Sequence, residues 1–182
     1  MPPKPWKTLS TRQVYQNSWT KVREDIAQMP NGETTIYGVI EAGKAVGVLP
    51  FVDNDHVVLV RQYRYVFGEN LRWEMPTGGV KPGEMLEAAA NRELREEVGF
   101  IAGRLQPIST YYTSKSVMHE IAHLFIGYDL ARAQAAPDET EFLEIQVFPF
   151  HQALRMVLES EIRDGMTVIA VLFAAHLRSL SE

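Results

Sequence analysis

Hydrophobic and polar positions follow a strand-like pattern over the first part of the chain. Polar and apolar residues interleave from Ser18 to Met29, and β-branched and aromatic residues fill Glu33–Ile40, with the turn sequence Pro30-Asn31-Gly32 between them. That order predicts a β-hairpin. A second hairpin is expected from Ala45–Val52 and His56–Tyr63, whose nearly continuous apolar residues are typical of central strands.

The rest of the chain alternates helical and strand-like segments. Apolar periodicity predicts one inserted helix, Glu84–Val98, and two closing helices, Phe150–Ser160 and Met166–Leu180. Strand-like patterns occupy Leu71–Met75, Arg104–Tyr112, Glu120–Leu130 and Leu143–Phe148. This order predicts an α+β fold in which a mixed β-sheet is sandwiched between α-helices.

Composition narrows the class of protein. The 182 residues are 46% hydrophobic and 23% charged, which is typical of one globular domain with a small appendage. The absence of cysteine excludes disulfides, thiolate zinc sites and cysteine nucleophiles, and it favours a cytoplasmic location. A net charge of -5 without a basic cluster argues against nucleic acid as a partner. The longest apolar stretch, Met166–Leu177, is too short to span a bilayer, so no membrane role is expected.

The inserted helix carries a patch of carboxylates. At 100° per residue, Glu93, Glu96 and Glu97 project along one edge of it, where like charges three or four residues apart repel each other. Arg92 can reach Glu96 but leaves net negative charge, and clustered carboxylates suit hard divalent cations such as Mg²⁺. A solvated, salt-bridged helix face is the alternative. Leu86, Ala90, Leu94 and Val98 form an apolar stripe, and the glutamates project along the edge of this stripe.

The residues around this patch resemble a known motif. Gly78–Phe100 reads GGVKPGEMLEAAANRELREEVGF and is similar to the Nudix box, G-x5-E-x7-R-E-U-x-E-E-x-G-U, where U is a bulky apolar residue. Leu94 fits the first U position, whereas Phe100 is aromatic where the family usually has an aliphatic residue. The identities are Gly78, Glu84, Arg92, Glu93, Glu96, Glu97 and Gly99.

The resemblance extends to the Nudix branch that hydrolyses ADP-ribose and nucleoside diphosphate sugars. The matching segments are Arg61-Gln62-Tyr63-Arg64, Trp73-Glu74-Met75-Pro76-Thr77-Gly78 and Asp138-Glu139-Thr140-Glu141. It implies a Nudix fold over residues 45–182, preceded by an antiparallel β extension over residues 1–44. It also implies Mg²⁺ or Mn²⁺ as cofactor, about two or three ions per site, and a homodimer with exchanged N-terminal strands.

Metal ligands follow from the patch and the resemblance together. Glu93, Glu96 and Glu97 are the expected carboxylate ligands, and Glu97 is also expected to be catalytic. The resemblance adds the backbone carbonyl of Thr77, which the Gly78-Gly79 turn can bring close to an ion, and the side chain of Glu141.

The supporting and catalytic roles also follow the family pattern. Arg92 and Glu84 are expected to hold the ligand carboxylates in place. By position, Glu139 is the candidate general base, because the box carboxylates are committed to metal. The alternative is an acidic loop after Pro137 that only contributes solubility.

Substrate contacts are predicted on several segments. Arg64 is expected to bind phosphate through its planar fork. Glu74 and Glu120 match positions near the substrate in the branch, or they cap strand edges. Tyr15 and Trp19, from the partner subunit's hairpin, are candidates for stacking on the nucleobase, with core or dimer packing as the alternative.

One segment departs from the ADP-ribose pattern. Members specific for ADP-ribose carry a proline fifteen residues past the box, where this chain has Lys115 within Thr113-Ser114-Lys115-Ser116. An ammonium there is a possible contact for phosphate or sugar hydroxyls.

The expected function is therefore hydrolysis of nucleoside diphosphate sugars, such as GDP-mannose or ADP-ribose, to a nucleoside monophosphate and a sugar phosphate. The alternatives are a dedicated ADP-ribose pyrophosphatase, a Nudix-fold sensor that binds a nucleotide sugar without cleaving it, and a hydrolase of dinucleotides or capped RNA.

Overall fold

The computed structural model describes residues 5–18, 20–70, 73–134 and 142–180. These residues form a mixed α+β fold, as predicted. Its strands are β1 (Lys7–Gln16), β2 (Lys21–Gln28), β3 (Thr34–Pro50), β4 (His56–Arg61), β5 (Tyr63–Arg64), β6 (Glu69–Asn70), β7 (Thr77–Gly79), β8 (Phe100–Tyr112), β9 (Met118–Arg132) and β10 (Glu144–Pro149). Its helices are α1 (Leu86–Val98), α2 (Phe150–Leu158) and α3 (Gly165–Ser179).

One compact unit comprises residues 1–44 and 112–121. Strand β2 pairs antiparallel with β3 from Gln28↔Thr34 to Lys21↔Glu41, which confirms the first predicted hairpin. Gly32 closes its turn with a φ of 93°, a conformation that glycine adopts without strain. Strand β1 pairs with β2, although the sequence pattern did not indicate a strand there. All ten of its residues are exposed, so it lacks the alternation that marks a half-buried strand.

The other compact unit comprises residues 45–111 and 122–182. Here the expected second hairpin is wrong in its pairing. Strand β4 forms a regular antiparallel ladder with β10, in register Val58↔Val147. The segment after β3 meets β4 at an isolated bridge, Phe51↔Val57, and through a 3.0 Å bond from the Val52 N–H to the His56 carbonyl. Apolar runs such as β4 specify burial on both faces but not which strand lies alongside.

Strand β4 separates two hydrophobic clusters within this second unit. Its residues alternate between them, with Val57 and Leu59 in the cluster that includes residues of α2 and α3, and Val58 and Val60 in the cluster that includes Leu94 of α1. All four valine and leucine side chains are 0–1% exposed. Because successive strand residues point to opposite faces, α1 lies on one face of β4 and the closing helices on the other, as the predicted sandwich requires.

The predicted division between residues 44 and 45 stays a prediction, as does the cytoplasmic location. Among the described residues, no helix has the length and apolar character needed to cross a membrane.

Candidate active site

Helix α1 positions the carboxylates. The sequence predicts it from Glu84, and it begins at Leu86 and ends at Val98. Its C-cap is Gly99, whose φ of 69° is left-handed and whose N–H donates to the Arg95 carbonyl at 3.1 Å. The predicted apolar stripe is confirmed, since Ala90 and Leu94 are fully buried. Burial of this stripe fixes the rotation of the helix about its axis and so the direction of the glutamates.

Two of the three box glutamates are buried. Glu93 is 9% exposed and Glu97 is 3% exposed, while the side chain of Glu96 is 25% exposed. A solvated helix face would leave all three in water. Removing a carboxylate from water is unfavourable unless it is paired or binds a cation, so the burial of Glu93 and Glu97 argues against the alternative of a simple surface patch.

Arg92 connects the cluster. Its Nε and one terminal nitrogen donate to the two oxygens of Glu84 at 2.8 and 2.9 Å. Its other terminal nitrogen donates to Glu93 at 2.6 Å and to Glu96 at 3.1 Å. A further bond of 2.8 Å reaches the Gly79 carbonyl. One guanidinium thus ties the loop before α1, the helix itself and strand β7 together.

Electrostatics show how strongly Arg92 and Glu84 are coupled. The hydrogen bond from Arg92, together with that from the Lys81 backbone, lowers the pKa of Glu84 to about 2. The hydrogen bond to Glu84 raises the pKa of Arg92, and the bonds to Glu93 and Glu96 add to this rise. Both groups are therefore charged throughout the physiological range, and Glu84 leaves Arg92 with less positive charge to offset the box glutamates.

The segment that leads into α1, Glu74–Gly79, is termed the entry segment. The Thr77 N–H donates to Glu97 Oε1 at 3.4 Å. At Gly78, a Cβ atom would overlap the carboxylate of Glu93, which lies directly against the glycine. A bare backbone is therefore required here, and it places two carboxylates beside the Thr77-Gly78 peptide.

These residues fit a divalent cation, although they are not arranged as a complete ligand cage. Among the described residues no three acidic or histidine side chains converge in metal-ligand geometry. Glu93 and Glu96 are turned towards Arg92, and Glu97 towards Thr77. The available ligand atoms are nevertheless hard oxygens, the type that Mg²⁺ and Mn²⁺ prefer. Because Gly78 has no side chain, the Glu93 carboxylate can lie against the backbone there.

Arg64 and Glu74 form a second charged pair in the same unit. Two nitrogens of Arg64 donate to Glu74 Oε1 at 3.0 and 2.6 Å. The Glu74 side chain is 3% exposed, whereas that of Arg64 is 34% exposed. Burial raises the pKa of Glu74, and the adjacent Arg64 opposes that rise. Of this pair, only Arg64 presents a substantial surface to solvent.

The other predicted substrate contacts belong to the first unit or lie outside the described residues. Tyr15 is 54% exposed on β1, and Glu120 is partly buried on β9. Lys115 lines a cavity of about 380 Å³ together with Tyr37 and Tyr112. Trp19 lies outside the described residues, as do the predicted general base Glu139 and the predicted metal ligand Glu141.

Sequence comparison establishes the family. Residues 41–167 match the NUDIX domain, and residues 6–40 match the nucleoside diphosphate sugar hydrolase N-terminal domain. The chain belongs to the Nudix hydrolase family. Nudix hydrolases generally use divalent metal ions, consistent with the oxygen-rich site on α1.

Named relatives extend along most of the chain. It is 30% identical to the ADP-ribose pyrophosphatase of Bacillus subtilis, covering 91% of this chain and 90% of the relative. It is 31% identical, with the same coverage, to the methanol dehydrogenase activator of Bacillus methanolicus. It is 35% identical to a GDP-mannose pyrophosphatase of Escherichia coli, over 66% of this chain and 68% of the relative.

A solved structure supports the Nudix fold. The crystal structure of an ADP compounds hydrolase superposes with a TM-score of 0.88, covering 100% of this chain and 98% of that one at 23% sequence identity.

Sequence analysis missed one contact to the entry segment. Thr167, at the start of α3, accepts a hydrogen bond from the Met75 N–H at 3.0 Å, and Asp164 caps the same helix. An aspartate before an apolar helix signals an N-cap. The partner of the Thr167 hydroxyl is 92 residues away and has no local signature in the sequence.

A glycine pair tests the close approach of Glu93 to the backbone. We expect Gly78→Ala to displace the Glu93 carboxylate and to weaken Mn²⁺ binding by about 10-fold, the lower end for losing support of a metal ligand. The matched control is Gly79→Ala, because a Cβ there has no heavy atom within 4 Å beyond its chain neighbours. Titration with Mn²⁺ followed by electron paramagnetic resonance measures both affinities. Equal affinities for the two variants would contradict this assignment.

Proposed function

We propose that this Nudix hydrolase is a Mg²⁺-dependent nucleoside diphosphate sugar hydrolase. It cleaves the diphosphate of substrates such as GDP-mannose or ADP-ribose, releasing a nucleoside monophosphate and a sugar phosphate. The observation that carries the proposal is the burial of Glu93 and Glu97 against the Thr77-Gly78 backbone. The names of its relatives, an ADP-ribose pyrophosphatase and a GDP-mannose pyrophosphatase, support the substrate class.

Oxygen ligands for the cation come from α1 and its flanking segments. Glu93, Glu96 and Glu97 would hold it with the Thr77 carbonyl, and Glu141 would add a further carboxylate. We favour Mg²⁺, with Mn²⁺ as a substitute and about two or three ions per site. When bound, such ions neutralise phosphate oxygens and lower the pKa of a coordinated water.

Arg92 acts as a positioning residue in this proposal. Its nitrogens are occupied by Glu84, Glu93, Glu96 and the Gly79 carbonyl, so its role is to orient carboxylates rather than to bind substrate. Glu84 in turn orients Arg92 and holds its guanidinium in place whether or not a cation is bound.

Arg64 is the proposed phosphate contact. Its guanidinium, on a side chain that is 34% exposed, can bind phosphate oxygens in two-pronged geometry. Glu74 supports it from a buried position, because a carboxylate on one edge of the guanidinium restricts the directions that the other edge can take. The proposed role of Glu74 towards substrate is therefore indirect.

Strand exchange between two subunits is proposed for the N-terminal unit. Leu9, Val14 and Tyr15 of β1 are 53–54% exposed, and Ile36 of β3 is 64% exposed. Exposed apolar side chains on the strands of one sheet are typical of protein interaction surfaces. A homodimer would cover them and would bring Tyr15 and Trp19 of one subunit to the nucleobase bound by its partner.

A substrate panel tests the proposed function. With Mg²⁺ present, we expect GDP-mannose and ADP-ribose to yield phosphomonoesters. A phosphatase then releases inorganic phosphate from these products, and a colorimetric phosphate assay measures it. The Glu97→Gln variant should lose nearly all of this signal, because it removes a charged oxygen ligand without changing side-chain size. Binding of the nucleotide sugars without any cleavage would favour the sensor instead.

Lys115 is the proposed selector between substrates. We expect Lys115→Ala to change the ratio of kcat/KM values for ADP-ribose and GDP-mannose, because the ammonium lines the cavity with Tyr37 and Tyr112. Arg104→Ala, at an exposed cation of the other unit, is the control. An unchanged ranking would exclude Lys115 as the selector.

Glu139 is the proposed general base. The Glu139→Gln variant should lower kcat by about 10²- to 10⁴-fold, the usual range for such a group, with little change in Mg²⁺ affinity. Asp138→Asn, the same charge removal one residue earlier, should leave kcat close to that of the wild type. Near-normal turnover by Glu139→Gln would reassign the base.

A further inference from the structure

The backbone of the first three residues of the entry segment, Glu74–Pro76, is held by contacts from three different elements. Strand β4 pairs with both backbone groups of Glu74, at 2.8 and 2.9 Å, and strand β3 donates to the Pro76 carbonyl at 3.0 Å. Helix α3 provides the contact between these two, in which the Met75 N–H donates to Thr167 Oγ1 at 3.0 Å. This third contact uses a side chain, so a single substitution can remove it.

The Thr167 hydroxyl has a fixed direction. The residue is fully buried, and its hydroxyl donates its one proton to Asp164 Oδ2 at 2.6 Å. The same carboxylate oxygen accepts the Thr167 N–H at 2.8 Å as the N-cap of α3. The hydroxyl oxygen is thereby left as the acceptor for Met75, and the charge on Asp164 strengthens it in that role.

Met75 lies close to Thr77 in the chain. Only Pro76 separates them, and its ring fixes φ, which removes one of the two backbone rotations that could absorb a displacement. The Met75 side chain is 0% exposed, and its end lies against Gly47, where an added Cβ would overlap it. The same added Cβ at Gly47 would lie 3.1 Å from the end of the Met166 side chain. Met166 directly precedes Thr167 in the chain.

We propose that Thr167 is a positioning residue for the metal site. Through Met75 and Pro76 its hydroxyl sets the position of the Thr77 carbonyl, the backbone ligand of the proposed function, on which this inference rests. Metal ligands must lie within about 0.2 Å of their ideal distances. A hydrogen bond two residues away therefore affects cation affinity even though Thr167 contacts neither cation nor substrate.

Three variants separate positioning from general stability. Thr167→Val keeps the shape and removes the hydroxyl, and we expect it to bind Mn²⁺ about 10-fold more weakly. Thr167→Ser keeps the hydroxyl and should restore near-wild-type affinity. Val171→Ala truncates another fully buried side chain of α3, so it lowers stability while leaving the hydrogen bond intact and should also bind normally.

Two measurements on the full chain decide the outcome. Mn²⁺ affinity comes from electron paramagnetic resonance, and hydrogen exchange of the Met75 amide reports the bond itself, which should exchange faster in Thr167→Val than in the other two variants. Wild-type affinity in Thr167→Val, or equal weakening in Val171→Ala, would overturn this inference alone. A wild-type protein that bound no Mn²⁺ would overturn the proposed function with it.

Discussion

The bonds made by the Arg92 guanidinium hold the carboxylate cluster in one place. Glu93 and Glu96 lie three residues apart on the same helix, where their charges repel each other. Arg92 donates to both through one nitrogen and to Glu84 through two others. A lysine could not replace it, because a single ammonium lacks the rigid planar fork that reaches three carboxylates and a carbonyl at once.

The carboxylates of α1 are one part of the site, and the backbone of the entry segment, which the surrounding strands and helices hold in place, is the other. In the proposed function, the carboxylates of α1 share their ion with the Thr77 backbone carbonyl, which belongs to a different element. Pairing of β7 with β3, in register Gly47↔Thr77, fixes it laterally. The bond from Thr77 to Glu97 then ties the segment to α1. The site is therefore a property of the packing between sheet and helix, and neither element contains it alone.

Local chemistry explains which features could be predicted from the sequence. Helix α1 and its glutamates are specified by residues within one short stretch, so periodicity and charge spacing located them. Strand β3 runs unbroken from Thr34 to Pro50, whereas the sequence pattern predicted two separate segments, Glu33–Ile40 and Ala45–Val52. The pairing of β4 with β10, and of Met75 with Thr167, joins residues far apart in the chain. Such contacts depend on tertiary packing, which no local pattern encodes.

Buried negative charge is the constraint that connects fold and function. Glu84, Glu93 and Glu96 share the Arg92 guanidinium, and the Arg95 guanidinium lies 3.7 Å from Glu96. Burying carboxylates opposes folding even when they are paired, because desolvation offsets much of the attraction, and a chain selected for stability alone would favour apolar residues there. A ligand that binds only the folded state stabilises it by mass action. In the proposed function a divalent cation is that ligand, so the feature that weakens the isolated fold is the one that recruits the cofactor.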